Sequence, residues 1–193
     1  MKVGDAIKLF GMTQQLIESD LDSIEKLLSI DLGRTGNDNP FRDEDYFPQF
    51  GEQVRLEAAA MSKHYEIFYC LEKSLRQLIK AKLEAERGAN WWSESVPTNV
   101  KSSAEANMKR ELDSGVTMRS ADLLDYTTFG ELGEIVRMNW SHFNDTFNSQ
   151  GAFNKIMASL NTLRGPIAHC SPLADDEVAR LRLTMRDWFR LME

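Results

Sequence analysis

EQVRLEAAAMSKHYEIFYCLEKSLRQLIKAKLEAER, residues 52–87, decides the fold class. Val54, Ala58, Met61, Tyr65, Phe68, Leu71, Leu75, Leu78 and Ile79 recur three or four residues apart, the period of one face of an α-helix. At about 1.5 Å of rise per residue, a helix of this length spans roughly 50 Å. Gly88 is a fitting stop, because glycine takes the left-handed turn that ends many helices. One long helix of this kind is the backbone of a domain, and the flanking sequence supplies what packs on it.

Downstream, Trp91-Trp92 packs a loop onto the bundle, and Pro97 opens a helix that Thr98 or Ser95 caps. It runs to about Asp113, where Ser114-Gly115 breaks it. Thr127 or Thr128 caps the next helix, which runs to about Phe143 with Phe129, Leu132, Ile135, Val136 and Trp140 on its apolar side. A further helix covers about Ala152 to Leu163, with Phe153, Ile156, Met157, Leu160 and Leu163 inward. Pro166 lacks a backbone donor and crowds the preceding turn, so that helix kinks or ends there. The last helix starts near Ala174. Asp175, Asp176 and Glu177 suit the positive end of its dipole, and Val178, Leu181, Leu183, Met185, Trp188, Phe189 and Leu191 form its packing face.

Upstream, Val3, Ile7, Phe10, Leu16, Ile17, Leu21, Ile24, Leu27 and Leu28 also keep helical spacing, with Gly11 between two helices. Residues 31–51 hold Gly, Asn, Pro and acidic residues and read as a loop or boundary. No segment alternates with period two. The expected fold is therefore all-α: a helical bundle over residues 51–193, with residues 1–50 as an N-terminal helical extension and loop.

The 193 residues suffice for one domain with a sizeable core, and 42% hydrophobic with 27% charged residues is ordinary for a soluble globular protein. No apolar run reaches the roughly 20 residues of a membrane span. The N-terminus lacks the apolar core of a signal peptide, and Asp5 suits a helix of the mature protein. Cys70 and Cys170 lack metal-ligand spacing, and three histidines are too few for a Cys/His zinc cluster. Both thiols read as reduced, in a cytoplasmic protein. No metal or cofactor is expected. A net charge of −7 counts against a general nucleic-acid binder. A cleft can still be locally positive: Arg110, Arg119, Arg137, Arg164, Arg180, Arg182, Arg186 and Arg190 crowd the C-terminal half, most of them as solvated helix-face charges. His64 and His142 are isolated and read as ordinary helix-surface or half-buried histidines.

Arg164-Gly-Pro-Ile-Ala-His169 carries the chemistry. A guanidinium holds a phosphate through its planar fork, and an imidazole moves a proton near neutral pH. On an undistorted helix, positions five apart point about 140° from each other. One chain would not close both side chains on one phosphate; a bend at Pro166 or a second subunit would. Glu72 and Arg76 stand at i,i+4, where an ion pair forms easily. Tyr65 and Tyr69 read as core or cleft wall.

Two blocks together resemble the HEPN superfamily of all-α domains, in its Swt-type branch. The first is Tyr65 to Ile79, followed by Trp91-Trp92 and Pro97; the second is Leu163 to Leu173, preceded by Phe153 and Leu160 and followed by the Trp188 helix. The likeness covers roughly residues 52–193. It implies a metal-independent RNA endonuclease that works as a homodimer, with Arg164 and His169 as the motif of a composite site at a two-fold axis. The RNA's own 2′-hydroxyl would attack phosphorus and expel the 5′-oxygen, leaving 2′,3′-cyclic phosphate and 5′-hydroxyl ends, so DNA would resist. Glu72 and Arg76 would lie beside the cleft and orient Arg164 or RNA. Members of this kind act as toxins or defence effectors, which implies an antitoxin or regulatory protein as a partner. Where active members often carry Asn, Asp or His after the Arg, this chain has Gly165; Asn161 or Thr162, one turn earlier, would substitute. The alternative is a catalytically silent HEPN-like module for dimerisation, partner or nucleotide binding, and a third is a plain helical adaptor. Asp43-Glu44-Asp45 is a candidate pseudo-substrate that screens the cleft.

Overall fold

The computed structural model describes residues 49–193 together with Leu21, Ile24, Leu27 and Leu28, which are helical. The chain divides into two units, residues 1–49 and residues 50–193. The expected break at Gly11, most of the 31–51 loop and the Asp43-Glu44-Asp45 run lie outside the described residues. The second unit holds the helices α1 (Glu52–Arg87), α2 (Trp91–Ser95), α3 (Thr98–Asp113), α4 (Phe129–Met138), α5 (Gln150–Ala168) and α6 (Asp175–Arg190), and the described residues contain no strand. The fold is an all-α bundle.

On α1 the buried positions are Phe68, Leu71, Leu75, Ile79 and Leu83, spaced three or four apart as one face demands. Ahead of Phe68 the stripe is outside the core: Val54, Ala58 and Tyr65 are exposed. The apolar period therefore marks the whole helix, whereas the bundle covers only its second half, where α4 and α5 pack on it. Gly88 ends α1 at φ +59°, its N–H donating to the Glu84 carbonyl. Trp91 is buried and meets Trp92 edge-on, with ring centroids 5.6 Å apart.

Pro97, in extended conformation, is the residue that starts α3; neither Thr98 nor Ser95 caps it. Gly115 follows its end at φ +72°. Thr128 caps α4 in a reciprocal box with Glu131: each backbone N–H donates to the other's side chain. This helix stops at Met138 rather than Phe143. Asn139 leaves helical geometry, and its side-chain amide donates to the Ile135 and Ser95 carbonyls, both at 2.8 Å. Trp140–His142 is a separate 3-10 turn. Phe147 then sits among rings, 4.9 Å from Phe153 and 5.4 Å from Trp188.

Ser149 caps α5, which packs on α1, α4 and α6 and buries Phe153, Ile156, Met157, Leu160 and Leu163. Pro166 does not end it; the helix runs on to Ala168. Proline deprives only the Thr162 carbonyl of its usual donor, and Thr162 is exposed, where solvent can replace that donor. The true end is a Schellman turn: Cys170 takes φ +55°, its N–H donates to Ile167, and Ser171 N–H donates to Pro166 at 2.8 Å. On α6, Leu181 and Trp188 are buried, seven residues apart on one face, and Leu191 is buried just after it. Leu183 and Phe189 lie off that face and are exposed, which corrects the seven-residue packing face expected from the sequence. Two and one positions from Leu181 and Trp188, they point roughly 200° and 100° away.

Candidate functional site

The middle of α1 supplies one wall of a cleft of about 310 Å³. Residues four apart on a helix share a face, so Tyr65, Tyr69 and Lys73 line up along this wall, with Glu72 and Arg76 beside them. The opposite wall is the last turns of α5, with Arg164, Ile167 and Ala168. Arg119 and Asp125, from the segment between α3 and α4, complete the rim. Four cations thus face two carboxylates in a chain whose net charge is −7.

Glu72 is the hub of this arrangement. One carboxylate oxygen accepts from Arg76 Nη2 at 2.6 Å, and the other lies 3.4 Å from Arg164 Nε. Arg76 is itself anchored: Nε donates to the Leu124 carbonyl at 3.1 Å and Nη2 to the Thr127 carbonyl at 2.8 Å. These carbonyls belong to and follow the 3-10 turn Leu123–Tyr126. The side chains of Arg76 and Glu72 are 13% and 16% exposed, that of Arg164 36%. The chain of contacts therefore runs from a mostly buried anchor to a guanidinium half open to the cleft. A second prop holds Arg119. Its N–H donates to Glu111 at 2.6 Å, its guanidinium pairs with the same carboxylate, and it lies 4.9 Å from the Tyr126 ring centroid. The Arg119 backbone N–H, first, and its side chain hold Glu111 below the usual carboxylate range.

The structure brings Arg164, Glu72 and Arg76 together. His169 is the C-cap of α5, exposed, outside the residues lining the cleft and without a side-chain partner among the described residues. Asn161 faces elsewhere, lining a shallow groove with Gly130, Gly133, Glu134 and Arg137. Thr162 is exposed and its hydroxyl donates to the Ala158 carbonyl. A side chain at position 165 would meet open space. Tyr65 and Tyr69 form cleft wall, 61% and 55% exposed, with ring centroids 6.3 Å apart.

Lys73 and Asp125 are lining residues that the sequence did not single out, and Arg119 was named only as one of eight arginines able to make a cleft locally positive. Lys73 was legible in principle, one helical turn past Tyr69 on the same face. Arg119 sits in irregular backbone and Asp125 in a single 3-10 turn, where no period points to a surface. Among the described residues, no group of three His, Cys, Asp or Glu side chains is placed to hold a metal ion, and no helix is long and apolar enough to cross a membrane. Cys70 and Cys170 are free and exposed.

The family model described as Swt1-like HEPN matches residues 66–193, more than half of the chain. The matched span contains Glu72, Arg76, Arg164 and His169 and begins one residue after Tyr65. No curated protein and no solved structure matches the chain.

Proposed function

The chain belongs to the Swt1-like HEPN family, and from that premise we propose that it is a metal-independent RNA endonuclease, a toxin or defence effector acting in the cytoplasm. The observation that carries the reading is the held guanidinium: Arg164 stands in a cation-rich cleft on the Glu72–Arg76 anchor, five residues before the exposed His169 that caps the same helix. Arg164 and Arg76 bind the scissile phosphate and offset charge that builds on its oxygens as the 2′-hydroxyl attacks. Their positions are set before RNA arrives, so little reorganisation is needed at the transition state. His169 takes the proton from the 2′-hydroxyl or returns one to the leaving 5′-oxygen. Because His169 lies outside its own chain's cleft, the second copy in a homodimer supplies it, and the site is shared between subunits. An antitoxin or regulatory protein that covers the cleft would keep such an enzyme silent.

Gly165 favours a second reading, a catalytically silent module that dimerises or binds a partner or nucleotide. It leaves open space where a polar side chain would hold RNA. The two readings part in one experiment. Labelled RNA is incubated in EDTA with the wild-type chain and with His169→Ala. The expected outcome is cleavage by the wild type to 2′,3′-cyclic phosphate ends, and a loss of about 10²–10⁴-fold in the variant. Equal rates in both would remove His169 from the chemistry, and no cleavage by either would leave the silent module.

A further inference from the structure

Beside the cationic cleft lies a second groove, of about 380 Å³, of a different character. Val54, Ala58 and Met61 of α1 form one side, and Cys170 and Pro172 after α5 form the other. Two residues, Tyr65 and Ile167, line both depressions, so the apolar groove continues the cleft. The Tyr65 ring stands at this junction, 61% exposed, and no hydrogen bond engages its hydroxyl among the described residues. Tyr65 and Arg164 are thus walls of one surface: an open aromatic face next to a guanidinium.

A nucleic-acid strand presents that alternation. Each nucleotide carries a charged phosphate and, beside it, a flat base with a face that stacks on aromatic rings. A base paired in a duplex cannot offer its face, whereas an unpaired one can. We propose that the groove beside Tyr65 is a nucleobase subsite: it takes one unpaired base of an RNA strand whose phosphate lies against Arg164 and Arg76. The subsite rests on the reading of the cleft as an RNA site, and it adds a selection for single-stranded over paired substrate. Stacking on Tyr65 accepts every base; of the polar side chains beside Met61 and Ile167, Glu57 accepts from Gln53 and Ser62 donates to the Ala59 carbonyl, so few groups remain to read its edge. The selection is therefore for strand state more than for sequence.

The test uses the full chain and short fluorescent RNA strands, 2′-O-methylated so that they bind without being cut. One strand carries all its bases; the other has the same phosphates with abasic sugars. Anisotropy titrations compare the wild type with Tyr65→Ala, Tyr65→Phe and Arg164→Ala. The wild type is expected to favour the intact strand by about tenfold, the scale of one base stacked on an aromatic ring. Tyr65→Phe keeps that preference and Tyr65→Ala loses it. Arg164→Ala weakens both strands alike. Equal binding of both strands by the wild type, binding of neither, or an undiminished preference in Tyr65→Ala overturns the subsite. Tyr65 is exposed, so its replacement leaves the core intact. A Tyr65-dependent preference in a chain that never cuts unmodified RNA rejects the nuclease and supports the subsite. Cleavage by a chain without the preference does the reverse.

Discussion

Cys170 holds the left-handed position that closes α5, at φ +55°. A side chain there crowds the following carbonyl at a cost of about 1–2 kcal/mol, which glycine avoids. Cys170→Gly is therefore expected to stabilise the protein by about 1 kcal/mol, offset in part by glycine's larger unfolded-state entropy. Thermal unfolding should show a rise of about 2–4 °C, and an unchanged or lowered midpoint would mean that the thiol contributes packing in the second groove. At the other end of the cleft, Glu111 governs Arg119. Its folded-state pKa is lowered, chiefly by the Arg119 N–H, so its contribution is present above the ordinary glutamate range and lost as pH falls through the folded value. Protection of the Arg119 amide from hydrogen exchange is expected to decline as pH falls below the ordinary glutamate range toward the lowered folded value. Glu111→Gln should remove that pH dependence; a decline of the same shape in the variant would assign it to another group.

At the scale of the element, α5 carries both members of the Arg164/His169 pair, and Pro166 stands between them. The sequence reading left open whether proline bends or ends the helix. The helix continues because a single missing donor opposite the exposed Thr162 costs less than the packing of Leu163 and Ile167 returns. Pro166→Ala restores the N–H to the Thr162 carbonyl and should stabilise the protein by about 1–2 kcal/mol. A denaturant titration at constant slope checks this, and a destabilised variant would show that the native turn depends on proline's fixed φ. The same comparison shows what was legible. Apolar period located α1, α4, α5 and α6 and the five buried side chains of α5, because burial of one face imposes the period, whereas α3 was marked by Pro97 and the Ser114-Gly115 break. It could not tell that Leu183 and Phe189 stay exposed, since hydrophobicity records which residues can be buried and not which have a neighbour to bury them. Arg164, Glu72 and Arg76 were legible as a set through their motifs. Arg119 was not, because the irregular segment that carries it has no repeat to read.

At the scale of the whole molecule, the arrangement of charge and of the two motif residues sets the terms for a nuclease. A chain of net charge −7 repels RNA at long range, so attraction must come from the cleft, where Lys73, Arg76, Arg119 and Arg164 outnumber Glu72 and Asp125. Binding should therefore weaken as salt is added, with a slope that reflects a few phosphates and not a long track. Within one chain the cleft holds Arg164 and leaves His169 outside, so the proposed shared site makes a prediction that no single-chain site makes. Arg164→Ala and His169→Ala, each inactive alone, are mixed under conditions that let subunits exchange. A mixed dimer then contains one cleft with an intact Arg164 from one chain and an intact His169 from the other. With random exchange, half the dimers are mixed and half of their sites are whole, so cleavage should return to about a quarter of the wild-type rate. Mixing that restores nothing, although mass measurement shows the subunits have exchanged, would place both groups of each working site in one chain and require α5 to move on binding RNA.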